Sequence, residues 1–483
     1  MASGGEGNKV TAAPGKNLKG GILLAGGSVT VALCSFLRNI IIARLISVED
    51  FGISATFAIT VTLLEMSSNL AVDRLLVQAP DGDDPRLQAA AQAFQVALGA
   101  LGAIILFFAA DPIAALFGVP QATWAFRALA LVPMIRGLSH LDMARVQREM
   151  RFGPSVWVEA GPQVLVTLLA VPLGVYLGDY RAMLWVVLIQ SASYTLFSHL
   201  VAHRPYSLAV DKALARRIVG FGWPLLLNGF LMFGIFQGDR AIVGAAFDMD
   251  HLGWFSAAFA ITLAPTVVVA KVCYNFFLPQ LSPLQGDAEL FHRRSMVVIQ
   301  ICLLAGVAVA VGFATAGPAM LTLLYGERYG AGVAVISLLG LMQGVRVARV
   351  GATIVAIAKG ETRIPLYVNI VRTLGLALSI LAVWFGFGIY GVVISALIGE
   401  ALAVIASLML VRWKLNVRVV ENPWPWLVAL VVTSGTYLLA GEFTAMGNPW
   451  LEIPAGIVIT LAVCGFCLLT MPETRMWLRR KDS

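Results

Sequence analysis

Long apolar runs follow one another along nearly the whole chain, separated by short clusters of glycine, proline and charged residues. About 20 apolar residues in a helix cross the roughly 30 Å of hydrocarbon in a bilayer, so each run is long enough to span it. A helix also satisfies its own backbone hydrogen bonds, which lipid cannot do. The pattern predicts fourteen spanning helices, at about 21–46, 51–75, 87–110, 122–140, 155–176, 180–201, 219–245, 251–278, 295–316, 332–357, 364–385, 389–411, 425–441 and 449–470.

Composition agrees with this pattern. The chain is 59% hydrophobic and only 13% charged, and its mean hydropathy is +0.84. A soluble domain has about 25% charged residues. These values exclude a soluble enzyme, a disulfide-built secreted domain and a disordered protein. The fold class predicted here is all-α: a polytopic membrane protein of about 14 transmembrane helices.

Lysines and arginines are divided unequally between the two ends of the predicted helices. The tails and alternate loops on one side hold 23 of them, whereas the other side holds three, Arg44, Arg181 and Arg328. Basic loops stay on the cytoplasmic side of a membrane. We therefore expect both termini in the cytoplasm, and the net charge of +7 does not indicate nucleic-acid binding.

An internal repeat divides the predicted helices into two sets of six. A shift of 202 residues brings Arg38 onto Arg240, and nine of the 23 positions from 38 to 60 match, including S-A-x-F-A-I-T. A repeat of six spans gives two lobes of the same orientation. The predicted organisation is a cytoplasmic tail (1–20), an N-lobe (21–203), an inter-lobe loop (204–218), a C-lobe (219–411), two extra spans (412–470) and a second tail (471–483). Two pseudo-symmetric lobes are typical of transporters.

Charged residues inside the predicted spans are the candidates for a functional site. A single arginine at the centre of a bilayer costs about 2.5–3.5 kcal/mol on insertion scales, so buried charges need a reason. Arginine matches phosphate with two parallel hydrogen bonds, and a net positive cavity would bind an anionic substrate. Internal salt bridging is the alternative. The candidates for substrate binding are Arg240, Lys271, Arg346, Arg349, Arg372 and Asn228, and the candidates for a coupling proton or cation are Asp239, Glu65 and Glu400.

Sequence motifs of enzymes are missing. The chain has no P-loop, no H-E-x-x-H and no G-x-S-x-G, and its five cysteines lie in apolar runs. We therefore expect no enzymatic activity, no cofactor, no metal and no nucleic-acid partner. An integral-membrane polysaccharide polymerase and a cation-coupled multidrug exporter remain as alternatives to a transporter of anions. A strongly cationic interior argues against the exporter.

Several segments resemble lipid-linked oligosaccharide flippases of the Wzx type, within the multidrug/oligosaccharidyl-lipid/polysaccharide superfamily. The segments are IIARLISVEDFGISATFAIT (41–60), LVQ (76–78), QREMRF (147–152), GDRAIVGAAF (238–247), LGWFSAAFAI (252–261) and LLYGERYGAG (323–332). Val48 stands where that family usually has proline. The resemblance is closest to the branch that exports exopolysaccharide and lipopolysaccharide.

The resemblance implies twelve core spans in two lobes, two extra helices and alternating access. It implies that undecaprenyl-pyrophosphate-linked oligosaccharide is moved across the bacterial cytoplasmic (inner) membrane, with a polysaccharide polymerase and export machinery as further partners. Spans 1, 2, 7 and 8 line the cavity in that family, which adds Arg38 to Arg240 and Lys271 as substrate ligands.

Overall fold

Helices make up nearly the whole of the computed structural model, which describes residues 14–68, 72–417, 422–444 and 448–479. The outer parts of the two predicted tails, 1–13 and 480–483, lie outside these residues. No strand occurs in the described ranges. The first nine helices are α1 (Pro14–Leu45), α2 (Val48–Ser68), α3 (Val72–Gln78), α4 (Pro85–Leu116), α5 (Thr123–Leu129), α6 (Leu131–Gly137), α7 (Asp142–Arg148), α8 (Gly153–Leu177) and α9 (Arg181–Leu200). The remaining ten are α10 (Lys212–Ala246), α11 (Met249–Leu281), α12 (Ala288–Thr315), α13 (Gly317–Tyr325), α14 (Val333–Ala358), α15 (Arg363–Trp384), α16 (Gly388–Leu415), α17 (Trp424–Thr444), α18 (Pro449–Leu469) and α19 (Pro472–Arg479).

The predicted all-α membrane class is confirmed. Within the described ranges, eleven helices are long and apolar enough to cross a membrane, and α17 is a shorter apolar helix. The other predicted spans correspond to α2 with α3 and to α5 with α6. Each of the fourteen apolar runs therefore contains helix.

The predicted span 122–140 is not one continuous helix. It is divided at Ala130 into α5 and α6, and a 3₁₀ turn (Pro120–Ala122) precedes α5. Pro133 explains the break, because it has no N–H and its ring conflicts with the carbonyl four residues earlier, that of Leu129. α5 ends at that residue.

The chain forms two compact units. Unit 1 contains residues up to 42, 64–113 and 121–227, and unit 2 contains 43–63, 114–120 and the chain from 228 onwards. Unit 2 therefore includes short segments from the first half of the sequence. The proposed lobe boundaries at 21–203 and 219–411 stay a prediction.

Two helix hairpins meet reciprocally within unit 2 at their turns, the turn between α1 and α2 and the turn between α10 and α11. A Cβ on Gly52 of α2 would collide with the carbonyl oxygen of Met249 at the start of α11. A Cβ on Gly253 of α11 would likewise collide with the carbonyl oxygen of Val48 at the start of α2. Glycine is required at both positions because the two backbones touch. This contact explains why residues 43–63 belong to unit 2.

The turns that begin these two helices are built alike. The Ser47 hydroxyl accepts a hydrogen bond from the Asp50 amide (3.0 Å), and the Asp248 carboxylate accepts one from the His251 amide (2.8 Å). Both are helix N-caps, which satisfy amides that have no partner inside the helix. The two caps are 201 residues apart, as are Gly52 and Gly253. The structure thus repeats a hairpin at nearly the shift found in the sequence.

Candidate functional site

Three arginines from two helices of unit 2 converge on one carboxylate. Arg346 Nε donates a hydrogen bond to Glu400 Oε1 (2.7 Å), and Arg372 forms an ion pair with the same oxygen. Arg349 Nε lies 3.7 Å from Glu400 Oε2. The side chains are 8%, 6% and 11% exposed for Arg346, Arg372 and Arg349, and 2% for Glu400. We call these four residues the Glu400 cluster.

A close helix contact positions two members of this cluster. A Cβ on Gly399 of α16 would lie 2.7 Å from the Cα of Gly375 on α15. Because neither residue has a side chain, the two helices approach closely one turn from Arg372 and next to Glu400. Larger residues here would separate the guanidinium from the carboxylate.

A small cavity adjoins the Glu400 cluster. It is lined by Arg346, Arg372, Glu400 and Asp239, together with apolar side chains, and has room for about one water molecule. Asp239 is only 8% exposed, and in the described part of the chain it makes no hydrogen bond or ion pair. The cavity is therefore lined by two carboxylates: Glu400, which is paired with arginines, and Asp239, which has no ion-pair partner among the described residues.

Aromatic rings lie over three cations of unit 2, of which Arg346 and Arg372 are buried and Arg240 is half-buried. The guanidinium carbons of Arg346 and Arg372 each lie 5.6 Å from the centre of the Phe236 ring. Arg240 lies 5.0 Å from the centre of the Phe259 ring. A cation over an aromatic face is stabilised by about 0.5–2 kcal/mol. The rings thus offset part of the cost of burying these arginines.

Arg38 lies in a different environment, within unit 1. Its Nη1 donates hydrogen bonds to Gln190 Oε1 (2.8 Å) and Gln163 Oε1 (3.1 Å), and its Nη2 donates to Ser35 Oγ (3.3 Å). The residue is 9% exposed. No carboxylate among the described residues lies within ion-pair distance of it. Arg38 is thus a buried cation with neutral partners.

Glu65, also in unit 1, has an ion-pair partner. Its carboxylate lies 3.6 Å from Arg136 Nη2, and the side chain is 47% exposed. The Arg136 guanidinium carbon lies 4.5 Å from the centre of the Tyr194 ring. This arrangement corresponds to the salt-bridging alternative for these two residues.

Two predicted site residues lie apart from both groups. Lys271 on α11 and Asn228 on α10 are exposed, and neither joins the Glu400 cluster or the surroundings of Arg38. Both are polar residues in apolar helices, but a position in the sequence does not fix which face of a helix turns inward. Their role as ligands stays a prediction.

Several residues of these sites were not predicted from the sequence, among them Gln163, Gln190 and Phe236. The two glutamines lie in apolar helices, where an uncharged amide also needs a partner. Their signal in the sequence is that they are polar uncharged residues within predicted spans. Phe236 had no signal among the many aromatic residues of the chain.

Outside the spans, ion pairs connect the basic loops of unit 1. Arg217 donates two hydrogen bonds to Asp81 (2.6 and 2.7 Å), which lower the pKa of this carboxyl to about 2. Burial alone would raise the pKa of Asp142. Hydrogen bonds from Arg145 and from the His203 amide outweigh that effect, so its pKa is lowered. These loops are held by charge-assisted hydrogen bonds.

The helical units define the class: a multi-pass membrane protein with the fold shared by multidrug transporters and lipid flippases. The lipid II flippase MurJ in an inward closed conformation matches 92% of this chain and 98% of its own, with a TM-score of 0.70 and 14% identity. An inward-facing MATE family transporter of the MOP superfamily matches 80% of this chain and 94% of its own, with a TM-score of 0.67 and 15% identity. These likenesses establish the fold alone.

The chain belongs to the family described as polysaccharide biosynthesis protein, whose model matches residues 41–335. It is 25% identical over 316 residues to the succinoglycan biosynthesis transport protein ExoT of Rhizobium meliloti (strain 1021), covering 64% of this chain and 63% of that protein. It is 23% identical over 218 residues to the amylovoran biosynthesis protein AmsL of Erwinia amylovora, covering 44% and 55%. The matched regions therefore span less than two thirds of either relative. The family resemblance found in the sequence is confirmed.

Proposed function

We propose that this chain is a flippase of polysaccharide biosynthesis. It moves undecaprenyl-pyrophosphate-linked oligosaccharide from the inner to the outer leaflet of the bacterial cytoplasmic membrane, with both of its own termini inside. It makes and breaks no covalent bond. Binding sites that favour the substrate differently in two conformations are sufficient for alternating access. A polysaccharide polymerase and the export machinery are the partners that would take over the product.

The observation that carries this proposal is the excess of buried guanidinium groups over carboxylates. Arg38 has only neutral hydrogen-bond partners, and three arginines share Glu400. Isolated cations are expensive in a membrane protein, and intramembrane charges commonly line the pathway of a substrate. An anionic substrate such as a lipid-linked pyrophosphate would offset that cost. The family membership and the flippase-like fold support the same proposal.

Asp239 is the acidic residue best suited to couple transport to a cation gradient. Glu65 is paired with Arg136 and Glu400 with three arginines, whereas Asp239 lines a cavity without an ion-pair partner in the described chain. A carboxylate in this position is available to a proton. We expect Asp239→Asn to fold and to lose transport that depends on a proton gradient. Unchanged gradient dependence would remove Asp239 from the coupling role.

The first experiment is deletion of the gene, followed by extraction of the lipid-linked saccharides. We expect single undecaprenyl-linked repeat units to accumulate inside the cell and surface polysaccharide to be lost. Shorter polymer chains, with single units still reaching the outer face, would indicate a polymerase. Unchanged saccharides with increased drug sensitivity would indicate a multidrug exporter.

Charge reversal of a candidate ligand then tests the binding site in the deletion strain. Arg240→Glu is expected to abolish surface polysaccharide while the protein remains in the membrane. Arg293→Glu is the matched control, because Arg293 lies on an exposed helix surface with 67% of its side chain accessible. Size-exclusion chromatography in detergent verifies that both variants are folded. Normal polysaccharide in the Arg240→Glu strain would refute the assignment of Arg240.

A further inference from the structure

The surroundings of Arg38 differ in charge from those of the Glu400 cluster. In the Glu400 cluster a carboxylate takes up part of the positive charge of Arg346, Arg349 and Arg372. Arg38 is equally deeply buried, but its acceptors are two amides and a hydroxyl. A neutral acceptor fixes the direction of a guanidinium and leaves its charge in place.

The orientation of the two amides follows from the chemistry of arginine. A guanidinium can only donate hydrogen bonds, so Gln163 and Gln190 must present their oxygens to it. Their NH₂ groups then point away from Arg38 as additional donors. The result is a group of donors with one net positive charge, contributed by three helices, α1, α8 and α9. Such a group suits an anion and not a cation.

We propose that Gln163 and Gln190 are positioning residues of an anion subsite: they hold the Arg38 guanidinium in place and keep its charge available to the substrate. This inference rests on the proposed function, since it takes Arg38 as a contact of the anionic part of the substrate. The ligand is an oxyanion, either the pyrophosphate of the lipid carrier or a carboxylate of an acidic sugar. Both use the planar donor geometry of arginine.

The geometry predicts an unusual relation between stability and binding. Replacing the amide of Gln190 by a carboxylate of the same shape places an anion 2.8 Å from Arg38 Nη1. The new ion pair neutralises a buried cation, so the variant is as stable as the original protein or more stable. The same ion pair neutralises the positive charge of Arg38 that would otherwise bind the substrate. Binding therefore decreases while stability does not.

Isothermal titration of the purified full-length protein in detergent tests this inference, with inorganic pyrophosphate and glucuronate titrated separately. The two probes distinguish a phosphate ligand from a sugar carboxylate. For Gln190→Glu we expect at least a tenfold loss of affinity for the probe that binds, and a thermal unfolding midpoint that is unchanged or about 2 °C higher. Gln163→Glu, at 3.1 Å, should behave in the same way.

Two further variants separate charge from packing. Gln190→Leu removes the acceptor without adding charge, so it should lower both affinity and the unfolding midpoint. Gln280→Glu is the matched control, because Gln280 is an exposed glutamine of α11. It should leave both quantities unchanged.

The inference is overturned by any of three results. These are equal affinity in the original protein and in Gln190→Glu, binding of neither probe, and loss of affinity in step with loss of folded protein. The assay requires no transport. If the binding results are as expected but deletion of the gene leaves lipid-linked saccharides unchanged, the flippase proposal fails and the anion subsite remains.

Discussion

Removal of the Glu400 carboxylate should be among the most damaging changes in unit 2. Glu400→Gln preserves the shape of the side chain but leaves Arg346, Arg349 and Arg372 without their common counter-ion. All three arginines are at most 11% exposed, and the adjoining cavity holds about one water molecule, so solvent compensates little for the lost carboxylate. Loss of one partner from a buried ion pair typically costs about 3–5 kcal/mol. We expect a loss of that size in the free energy of unfolding.

A matched exposed pair provides the control. Arg293 Nε and Glu289 Oε1 are also 2.7 Å apart, but their side chains are 67% and 70% exposed. An ion pair of this kind contributes about 0–1 kcal/mol. Glu289→Gln should therefore change the free energy of unfolding by less than about 1 kcal/mol.

The measurement is unfolding of the purified protein in mild detergent, followed by intrinsic tryptophan fluorescence against increasing denaturant. The double variant Arg372→Gln, Glu400→Gln removes one cation together with the carboxylate. It should be less destabilised than the sum of the two single variants, because the residues interact directly. Equal effects of Glu400→Gln and Glu289→Gln would refute the view that the Glu400 cluster is a buried counter-ion system.

Three other predictions concern the hairpins, the loops and the orientation. Gly52→Ala and Gly253→Ala should each lower the free energy of unfolding by about 1–3 kcal/mol, because the added methyl groups collide with backbone. Gly435→Ala, in open space on α17, is the control, and equal effects would contradict the close contact. Asp81 stabilises the folded state above about pH 4, and this contribution should disappear as the pH falls towards its folded pKa of about 2. In Arg217→Gln the stability profile between pH 2 and 5 should be flatter, and an unaltered profile would contradict the pairing. Green fluorescent protein fluoresces when it lies in the cytoplasm, so a fusion of it after residue 483 should fluoresce. A dark fusion, together with an active alkaline phosphatase fusion at the same position, would contradict the predicted orientation.

The helices could be predicted from the sequence because each depends on a local property. An apolar run of sufficient length forms a helix in lipid whatever its neighbours are. The break at Ala130 could not be inferred from Pro133 alone, because Pro162 and Pro172 lie inside the unbroken helix α8. The Glu400 cluster could not be predicted in the same way. Its members are separated by up to 54 residues. The spacing of Arg346, Arg372 and Glu400 along the chain does not indicate that three helices bring them together.

The same reasoning explains the predicted site residues that lie elsewhere. Lys271 and Arg346 are both cations in apolar helices, yet Lys271 is exposed and Arg346 is buried. Periodicity places a residue on a helix face but does not say which face meets another helix. The glutamines next to Arg38 are not indicated by charge, because a neutral residue can also hold a charge in place.

The two similar turns place buried residues of opposite charge at corresponding positions of the chain. Their N-caps and contact glycines correspond at a shift of 201, whereas Arg38 and Arg240 correspond at 202. At the shift of the turns, Arg38 stands opposite Asp239, each seven residues before the end of its helix, at Leu45 and Ala246. Arg38, a cation with neutral partners, thus corresponds to Asp239, an anion without an ion-pair partner among the described residues. The two signs of charge suit the two tasks proposed here: Arg38 for an anionic substrate and Asp239 for a proton.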